Sequence, residues 1–203
     1  MPKSSRHGPR SEQDHVRSSS SIDRAAPDPL PRIAKGIVLR RLAASDLPAF
    51  QAYRHDPQVA LYQDWTAVTD AEARALLTEM SSIGLLLPGT WSQIGIAEPG
   101  NPRLAGDIGL FLAGDGRHAE IGFTLARESQ GRGLGTMAAL EAIKLVFELT
   151  EADRVLGITD ARNAPSIRLL LRVGMRLAGS RDAIHREQRI VEHVYAISRQ
   201  HGA

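Results

Sequence analysis

The 203-residue chain contains no cysteine. This absence excludes disulfide bonds, thiolate metal ligands and a cysteine nucleophile at the same time. Any acyl transfer by this chain must therefore proceed without an acyl-cysteine intermediate. A chain without disulfides is also compatible with a cytoplasmic location, which we take as the expectation.

Long apolar runs and an excess of one charge are lacking as well. No apolar run approaches the roughly eighteen residues of a membrane-spanning helix, so we expect no membrane partner. Lys and Arg number 25 against 23 Asp and Glu, and residues 33–203 hold nineteen of each. Because nucleic-acid-binding domains concentrate positive charge on one face, this balance argues against a nucleic-acid partner.

The first 32 residues differ in composition from the remainder. Their serine run at 18–21 and proline cluster at 27–31 offer few large apolar side chains for a core. Such a segment does not recover the entropy lost on ordering, which predicts a disordered tail over residues 1–32. Residues 33–203 are then long enough for a single domain.

Periodicity and turn residues predict an α+β domain with one mixed sheet and flanking helices. The predicted strands are Gly36–Leu42, Trp91–Ala97, Leu104–Ala113, Ala119–Ala126, Arg154–Thr159, Met175–Ser180 and Ile190–Ser198. The predicted helices are Ser45–Arg54, Thr69–Met80, Leu134–Leu149 and a segment between Asn163 and Gly174.

A glycine-rich loop at 130–135 separates a predicted strand from a predicted helix. The order strand, glycine loop, helix leaves backbone N–H groups unpaired at the helix N-terminus. Free donors and the positive end of the helix dipole both favour phosphate oxygens. The sequence therefore predicts a phosphate-binding loop here.

The glycine spacing separates three kinds of phosphate loop. A Walker A loop needs Lys before Ser or Thr, and Gly135 is followed directly by Thr136. A dinucleotide fingerprint has the pattern G-x-G-x-x-G followed by a distant acid. In this chain the third glycine, Gly135, comes one position too early and Thr136 stands where glycine or alanine belongs, although Asp160 could be the distant acid and keeps that alternative open. The signature Q/R-x-x-G-x-G/A is matched in full by Gln130, Gly133 and Gly135.

On that signature the chain resembles the GCN5-related N-acetyltransferases (GNAT), in which this loop holds the pyrophosphate of acetyl-coenzyme A. Three further segments resemble the branch that includes the ribosomal-protein N-terminal acetyltransferases. They are R-x-D-P-x-V-A at 54–60, N-x-x-S-x-R-L-L at 163–170, and the closing strand at 192–197. The resemblance covers residues 36–198 and implies an acetyl-coenzyme A-dependent N-acetyltransferase. No metal is predicted, because His118, His185 and His193 have no carboxylate or histidine partner at metal-ligand spacing.

The same resemblance implies which residues bind the co-substrate. Backbone groups of Phe123 and Leu125 are expected to pair with the pantetheine arm as an added strand would. Asn163 caps a helix and also contacts the pantetheine amides, while Arg168 either reaches the 3′-phosphate or forms a solvated helix face with Arg172. The pyrophosphate is expected to be surrounded by Gln130, Gly131, Arg132, Gly133, Gly135 and Thr136.

Acetyl transfer to an amine needs a proton acceptor and a proton donor. Glu120, on the strand before the loop, is the predicted base, and a solvated pairing with Arg117 is the alternative. Ser166 is the predicted donor to the coenzyme A sulfur, with helix N-terminal hydrogen bonding as the alternative. Tyr195 is the reserve acid, although a tyrosine in a final strand is more often a packing residue.

Several questions stay open at this level. A non-catalytic acyl-coenzyme A-binding protein shares every motif above, and similar proteins often form homodimers. Segments 53–90 and 180–190 are expected to wall the acceptor site. They include Tyr62, Asp64, Trp65 and Asp70, which suit a cationic amine as well as ordinary core and loop positions.

Overall fold

The computed structural model describes residues 27–200, which fold around one eight-stranded sheet. The sheet runs in the order β1-β2-β3-β4-β5-β6-β8-β7. Its strands are β1 (Arg32–Ala34), β2 (Ile37–Arg41), β3 (Trp91–Glu98), β4 (Asn101–Leu112), β5 (His118–Leu125), β6 (Arg154–Asp160), β7 (Arg176–His185) and β8 (Gln188–Ser198). The helices are α1 (Leu47–Arg54), α2 (Pro57–Ala60), α3 (Asp70–Ser82), α4 (Leu134–Leu149) and α5 (Ala164–Arg172).

The sheet is mixed, as the sequence predicted. Strands β5 and β6 are parallel and are connected through α4, whereas the other neighbouring strands pair antiparallel. A parallel pair needs a crossover connection, and α4 with its preceding loop supplies it. The glycine loop therefore lies between the end of β5 and the start of the crossover helix α4.

Two apolar clusters cover the two faces of the sheet. Helix α4 packs its small and branched residues, among them Ala138, Ala142 and Val146, against strands of the first cluster. Helices α1 and α3 form the second cluster on the opposite face, with Phe50 and Leu77 fully buried. The site must accordingly lie where the two faces meet a break in the sheet.

The helix termini follow the predicted signals. Thr69 and Glu72 form the expected capping box at the start of α3, with the Thr69 N–H donating to Glu72 Oε2 at 2.8 Å. Asn163 caps α5, since its Oδ1 accepts from the Ser166 N–H at 3.2 Å. Gly174 follows α5 with φ of +89°, a left-handed conformation that suits glycine.

Some elements differ from the sequence prediction. The four-residue helix α2 and the three-residue strand β1 were not predicted, because such short elements carry no usable periodicity. Strand β7 extends five residues beyond the predicted end at Ser180, to His185. Most of its side chains are exposed, so the alternation that marks a half-buried strand is missing.

The predicted tail of residues 1–32 lies mostly outside the described residues. Its last part packs on the domain: Leu30 is buried, and Asp28 Oδ2 accepts from Arg41 Nε at 3.0 Å. No helix within residues 27–200 has the length and hydropathy needed to cross a bilayer.

Candidate active site

The break in the sheet lies between β5 and β6. Their ladder contains three pairs and ends with Glu120 opposite Leu156. Beyond that pair, residues 121–125 of β5 and 157–160 of β6 continue as strands without pairing to each other. Backbone groups along both edges are thus available to an extended ligand inserted as an additional strand.

The glycine loop lies beyond the open end of this gap. Gly131 and Gly133 have φ of +73° and +83°, which glycine adopts without a steric penalty. Within residues 27–200, the backbone N–H groups of 131–136 donate to no other protein group, and the Met137 N–H is the first to bond, to Gly133 O at 3.1 Å. Six adjacent free donors at a helix N-terminus therefore lie where the sequence predicts an anion site.

Side chains from other elements hold this loop in place. Gln130 Nε2 donates to Leu125 O at 3.1 Å, which fixes the loop to the end of β5. Arg127 Nε donates to Asp56 Oδ2 at 2.7 Å, and this contact lowers the pKa of the Asp56 carboxyl. Asp56 also caps α2 through the Gln58 N–H, so α2 and the glycine loop are connected through one carboxylate.

A cleft of about 650 Å³ connects the loop, the gap and the face of the sheet beneath α2. This volume is in the range of small-molecule sites. Of the predicted site residues, the cleft is lined by Glu120, Phe123, Leu125, Gln130, Gly131, Gly133, Gly135, Thr136, Asn163, Ser166 and Arg168. The fold thus brings eleven of the thirteen predicted residues to one cavity.

Arg132 and Tyr195 are the two predicted residues that do not line the cleft. The Arg132 guanidinium is paired with Glu98, its Nη1 lying 3.0 Å from Oε1, so its side chain points toward the end of β3. Tyr195 is 5% exposed and packs within the first apolar cluster. Its ring contacts His193 edge to face at 6.4 Å between centroids.

Glu120 lies at the point where the β5–β6 gap begins. Its side chain is 27% exposed within the cleft, and its Oε1 is 3.9 Å from His118 Nε2. The alternative pairing with Arg117 is not formed. A carboxylate that is partly exposed and free of any strong cation partner is available to accept a proton from a bound amine.

Arg168 also lines the cleft, from α5. Within the described residues its guanidinium makes no ion pair or side-chain hydrogen bond, in contrast to Arg127, Arg132 and Arg162. An unpaired arginine on the wall of a phosphate-binding cleft supports the first of its two predicted roles.

The far end of the cleft is bounded by α2 and the β7–β8 hairpin. Arg186, at the hairpin turn, donates from Nη2 to Ala60 O at 3.1 Å and to Gln63 O at 3.4 Å. His185 Nδ1 lies 3.1 Å from Asp64 Oδ1, while its buried Nε2 has no partner within residues 27–200. The two predicted acceptor walls are therefore joined to each other.

Tyr62 and Asp64 line this part of the cleft, whereas Trp65 and Asp70 do not. The Trp65 ring instead stacks on the Arg54 guanidinium at 4.6 Å, and Asp70 accepts from Gln51 Nε2 at 3.0 Å. Trp65 and Asp70 therefore stabilise α1 and α3 and do not form part of the cleft wall.

A buried polar cluster anchors α1 to β4 beneath the cleft. The Tyr53 hydroxyl donates to Asp107 Oδ2, and both side chains are almost fully buried. Burial raises the pKa of the Asp107 carboxyl, and burial also raises the pKa of Tyr53 well above its usual value. The Arg54 guanidinium lies nearby and partly offsets the effect on Asp107.

Comparison with known proteins now identifies the family. Residues 37–176 match the family model described as an acetyltransferase (GNAT) domain. The chain belongs to the GNAT acetyltransferase family. This membership confirms the resemblance drawn from the glycine loop and favours it over the dinucleotide alternative. The carboxylate of Asp160, the distant acid of that alternative, accepts a hydrogen bond from Arg162 Nε at 2.9 Å.

Individual GNAT relatives are similar at low identity. An uncharacterized N-acetyltransferase p20 of Bacillus licheniformis is 26% identical over 136 residues, which cover 66% of this chain and 75% of that protein. A GNAT-family acetyltransferase structure from Bacillus anthracis has a TM-score of 0.73 at 22% identity, covering 82% of this chain and 96% of that one. These GNAT similarities confirm the single-domain fold.

A third similar structure is that of RimL, described as a ribosomal L7/L12 alpha-N-protein acetyltransferase in complex with coenzyme A. It has a TM-score of 0.69 at 16% identity, with 83% of this chain and 97% of that chain covered. The GNAT fold of the present chain is therefore one that, in RimL, holds coenzyme A.

Sequence reasoning missed several cleft residues of this GNAT domain. Trp91 and Gly122 line the cleft, yet neither lies in a motif; Arg181 and His185 also line it and fall within the predicted wall at 180–190, although they were not singled out. Their placement depends on the register between strands and on the extension of β7, neither of which a single sequence specifies. The weak signal available was the alternation of Trp91 with Gln93 at the start of a predicted strand.

Proposed function

We propose that this GNAT protein transfers an acetyl group from acetyl-coenzyme A to a primary amine, by direct attack within a ternary complex. One observation carries the proposal: the β5–β6 gap, the free N–H groups of the glycine loop and Glu120 all open into one cleft. The gap suits the pantetheine arm and the loop suits the pyrophosphate, which leaves Glu120 at the thioester end.

The loop residues bind and orient the co-substrate. Backbone N–H groups of 131–136 donate hydrogen bonds to the pyrophosphate oxygens, and Arg168 lies within the same cleft for an additional phosphate. The open edges at Phe123 and Leu125 offer backbone groups to the pantetheine amides, although Leu125 O is already used by Gln130. Phosphate binding and strand-like pairing together fix the thioester near Glu120.

Glu120 and Ser166 then handle the protons. The amine nitrogen forms a bond to the thioester carbonyl carbon, and the carbon–sulfur bond breaks as the tetrahedral adduct collapses. Glu120 takes the proton that the amine loses, directly or through water, and Ser166 donates a hydrogen bond or proton to the leaving thiolate. The absence of cysteine from the chain is consistent with direct attack, since no acyl-thiol intermediate on the protein is available.

The test is Glu120→Gln, which keeps size and hydrogen bonding but removes the base. With acetyl-coenzyme A and a panel of primary amines, we expect kcat/KM to fall by about 100-fold to 10,000-fold. The dissociation constant for coenzyme A should stay within about twofold. A thiol reagent measures product without background because the protein contributes no thiol, and mass spectrometry identifies the acetylated amine.

Glu128→Gln is the matched control, because Glu128 is exposed and pairs with Arg103 outside the cleft. Full activity of Glu120→Gln would show that another group takes the proton. Coenzyme A binding by the wild-type protein without transfer to any amine would instead favour the non-catalytic acyl-coenzyme A-binding alternative.

A further inference from the structure

Two glycines form a flat area on the face of the sheet that carries Glu120. Gly109 of β4 and Gly122 of β5 are direct cross-strand partners, so they occupy the same face. A Cβ atom added at Gly122 meets no atom within 4 Å, which means that the space above it is open. Gly122 lines the cleft and lies two residues beyond the last β5–β6 pair.

An aromatic ring covers Gly109 and leaves Gly122 open. A Cβ added at Gly109 comes 3.1 Å from Trp91 Cζ3, so the Trp91 ring lies across Gly109. The ring packs on Phe111 with 5.3 Å between centroids, yet Trp91 remains 47% exposed and lines the cleft. A large apolar side chain that is half exposed inside a cleft is available to contact a ligand.

Glu120 lies in the same row of residues as Trp91. Trp91 pairs with Phe111, and Phe111 pairs with Glu120, so the three form one row across β3, β4 and β5. Two strand spacings separate Trp91 from Glu120, or roughly 10 Å between backbones. Phe111 lies between them in that row; Gly122 belongs to the next row, two residues after Glu120 and opposite Gly109, which the Trp91 ring covers.

We propose that Gly122, Trp91 and Glu120 form the acceptor subsite, which takes the amine as an alkylammonium with its hydrocarbon part against Trp91. Aromatic faces and carboxylates both attract cations, and an alkyl amine with a pKa near 10 arrives protonated at neutral pH. Glu120 binds the charge first and then receives the proton. The assignment of that second step rests on the proposed acetyl transfer; the binding of the cation does not.

Cation recognition is tested first, without turnover. Choline and its uncharged isostere 3,3-dimethylbutan-1-ol are compared by saturation-transfer NMR, using the whole protein with coenzyme A present. We expect choline to bind at least about tenfold more tightly, and Trp91→Leu and Glu120→Gln each to reduce that preference to about threefold or less. Equal binding of the two probes to the wild-type protein, or no binding of choline, overturns the proposal.

The open space at Gly122 is tested through the reaction. In Gly122→Ala the added methyl fills that space, and we expect the KM for the best amine of the panel to rise about tenfold or more. The dissociation constant for acetyl-coenzyme A should stay within about twofold. Gly114→Ala is the matched control: its Cβ also meets nothing within 4 Å, and it lies in the turn after β4, outside the cleft.

The two proposals fail in different ways. If no amine is acetylated but choline is preferred in a Trp91-dependent manner, the acetyl-transfer proposal fails and the cation subsite stands. If amines are acetylated but Gly122→Ala leaves the KM for the amine unchanged, the subsite proposal is wrong and the catalytic one stands.

Discussion

Replacing Gly133 by alanine tests the phosphate loop most directly. Gly133 precedes the first residue of α4 with φ of +83°, a left-handed conformation that costs an L-residue about 1–2 kcal/mol. The protein itself leaves the space beside Gly133 open, because an added Cβ meets nothing within 4 Å. If that space receives a phosphate, the methyl group either occludes it or turns the neighbouring N–H groups away.

In both cases the Gly133→Ala protein is expected to bind coenzyme A more weakly. A cost of about 1–2 kcal/mol corresponds to a dissociation constant for coenzyme A that is about five- to thirtyfold higher. Isothermal titration calorimetry with coenzyme A measures this change, and thermal unfolding reports stability in parallel.

Gly36→Ala separates loop function from backbone strain. Gly36 lies in the turn between β1 and β2 with φ of +81° and equally open surroundings, so it carries the same conformational penalty away from the cleft. We expect the Tm of Gly36→Ala to fall by about 2–4 °C for each kcal/mol of unfolding free energy that is lost. Its affinity for coenzyme A should stay within about twofold of the wild-type value. Equal coenzyme A affinity in Gly133→Ala and Gly36→Ala would refute the assignment of this loop to the pyrophosphate.

Two further predictions concern the buried acid and the proton donor. Because burial raises the pKa of Asp107 in the folded state, the folded protein holds that proton more tightly than the unfolded chain. The wild-type free energy of unfolding, measured against Asp107→Asn in urea, should therefore decline as pH rises above about 4, and a rise with pH would contradict this. For the proton donor, Ser166→Ala should lower kcat more than Tyr195→Phe, since Ser166 lines the cleft and Tyr195 lies in the core. A larger loss of kcat in Tyr195→Phe than in Ser166→Ala would contradict this prediction.

Local signals explain how much of the fold could be predicted. The glycine loop, helix α4 and the capped start of α3 depend on residues within a few positions of one another, and the structure confirms all three. The sequence predicts that β4 begins at Leu104, whereas β4 begins at Asn101. Element boundaries depend on packing beyond the turn, so their exact positions need the folded chain.

The site was predictable only where it depends on motifs. Gln130, Asn163 and Ser166 belong to short patterns, and all three line the cleft. Trp91 and Gly122 meet because β3, β4 and β5 pair in one particular register, and a shift of one residue would place them on opposite faces. A single sequence holds no information that distinguishes these registers by itself.

The contact between Arg186 and the carbonyl groups of residues 60 and 63 has a consequence for protein engineering. The donor lies 126 and 123 positions from its two acceptors in the sequence, yet these hydrogen bonds hold the two segments together. Grafting the hairpin of a relative without its matching segment after α1 would leave a guanidinium, or several carbonyl oxygens, without partners. A hairpin graft that preserves these hydrogen bonds therefore requires both segments to be transplanted together.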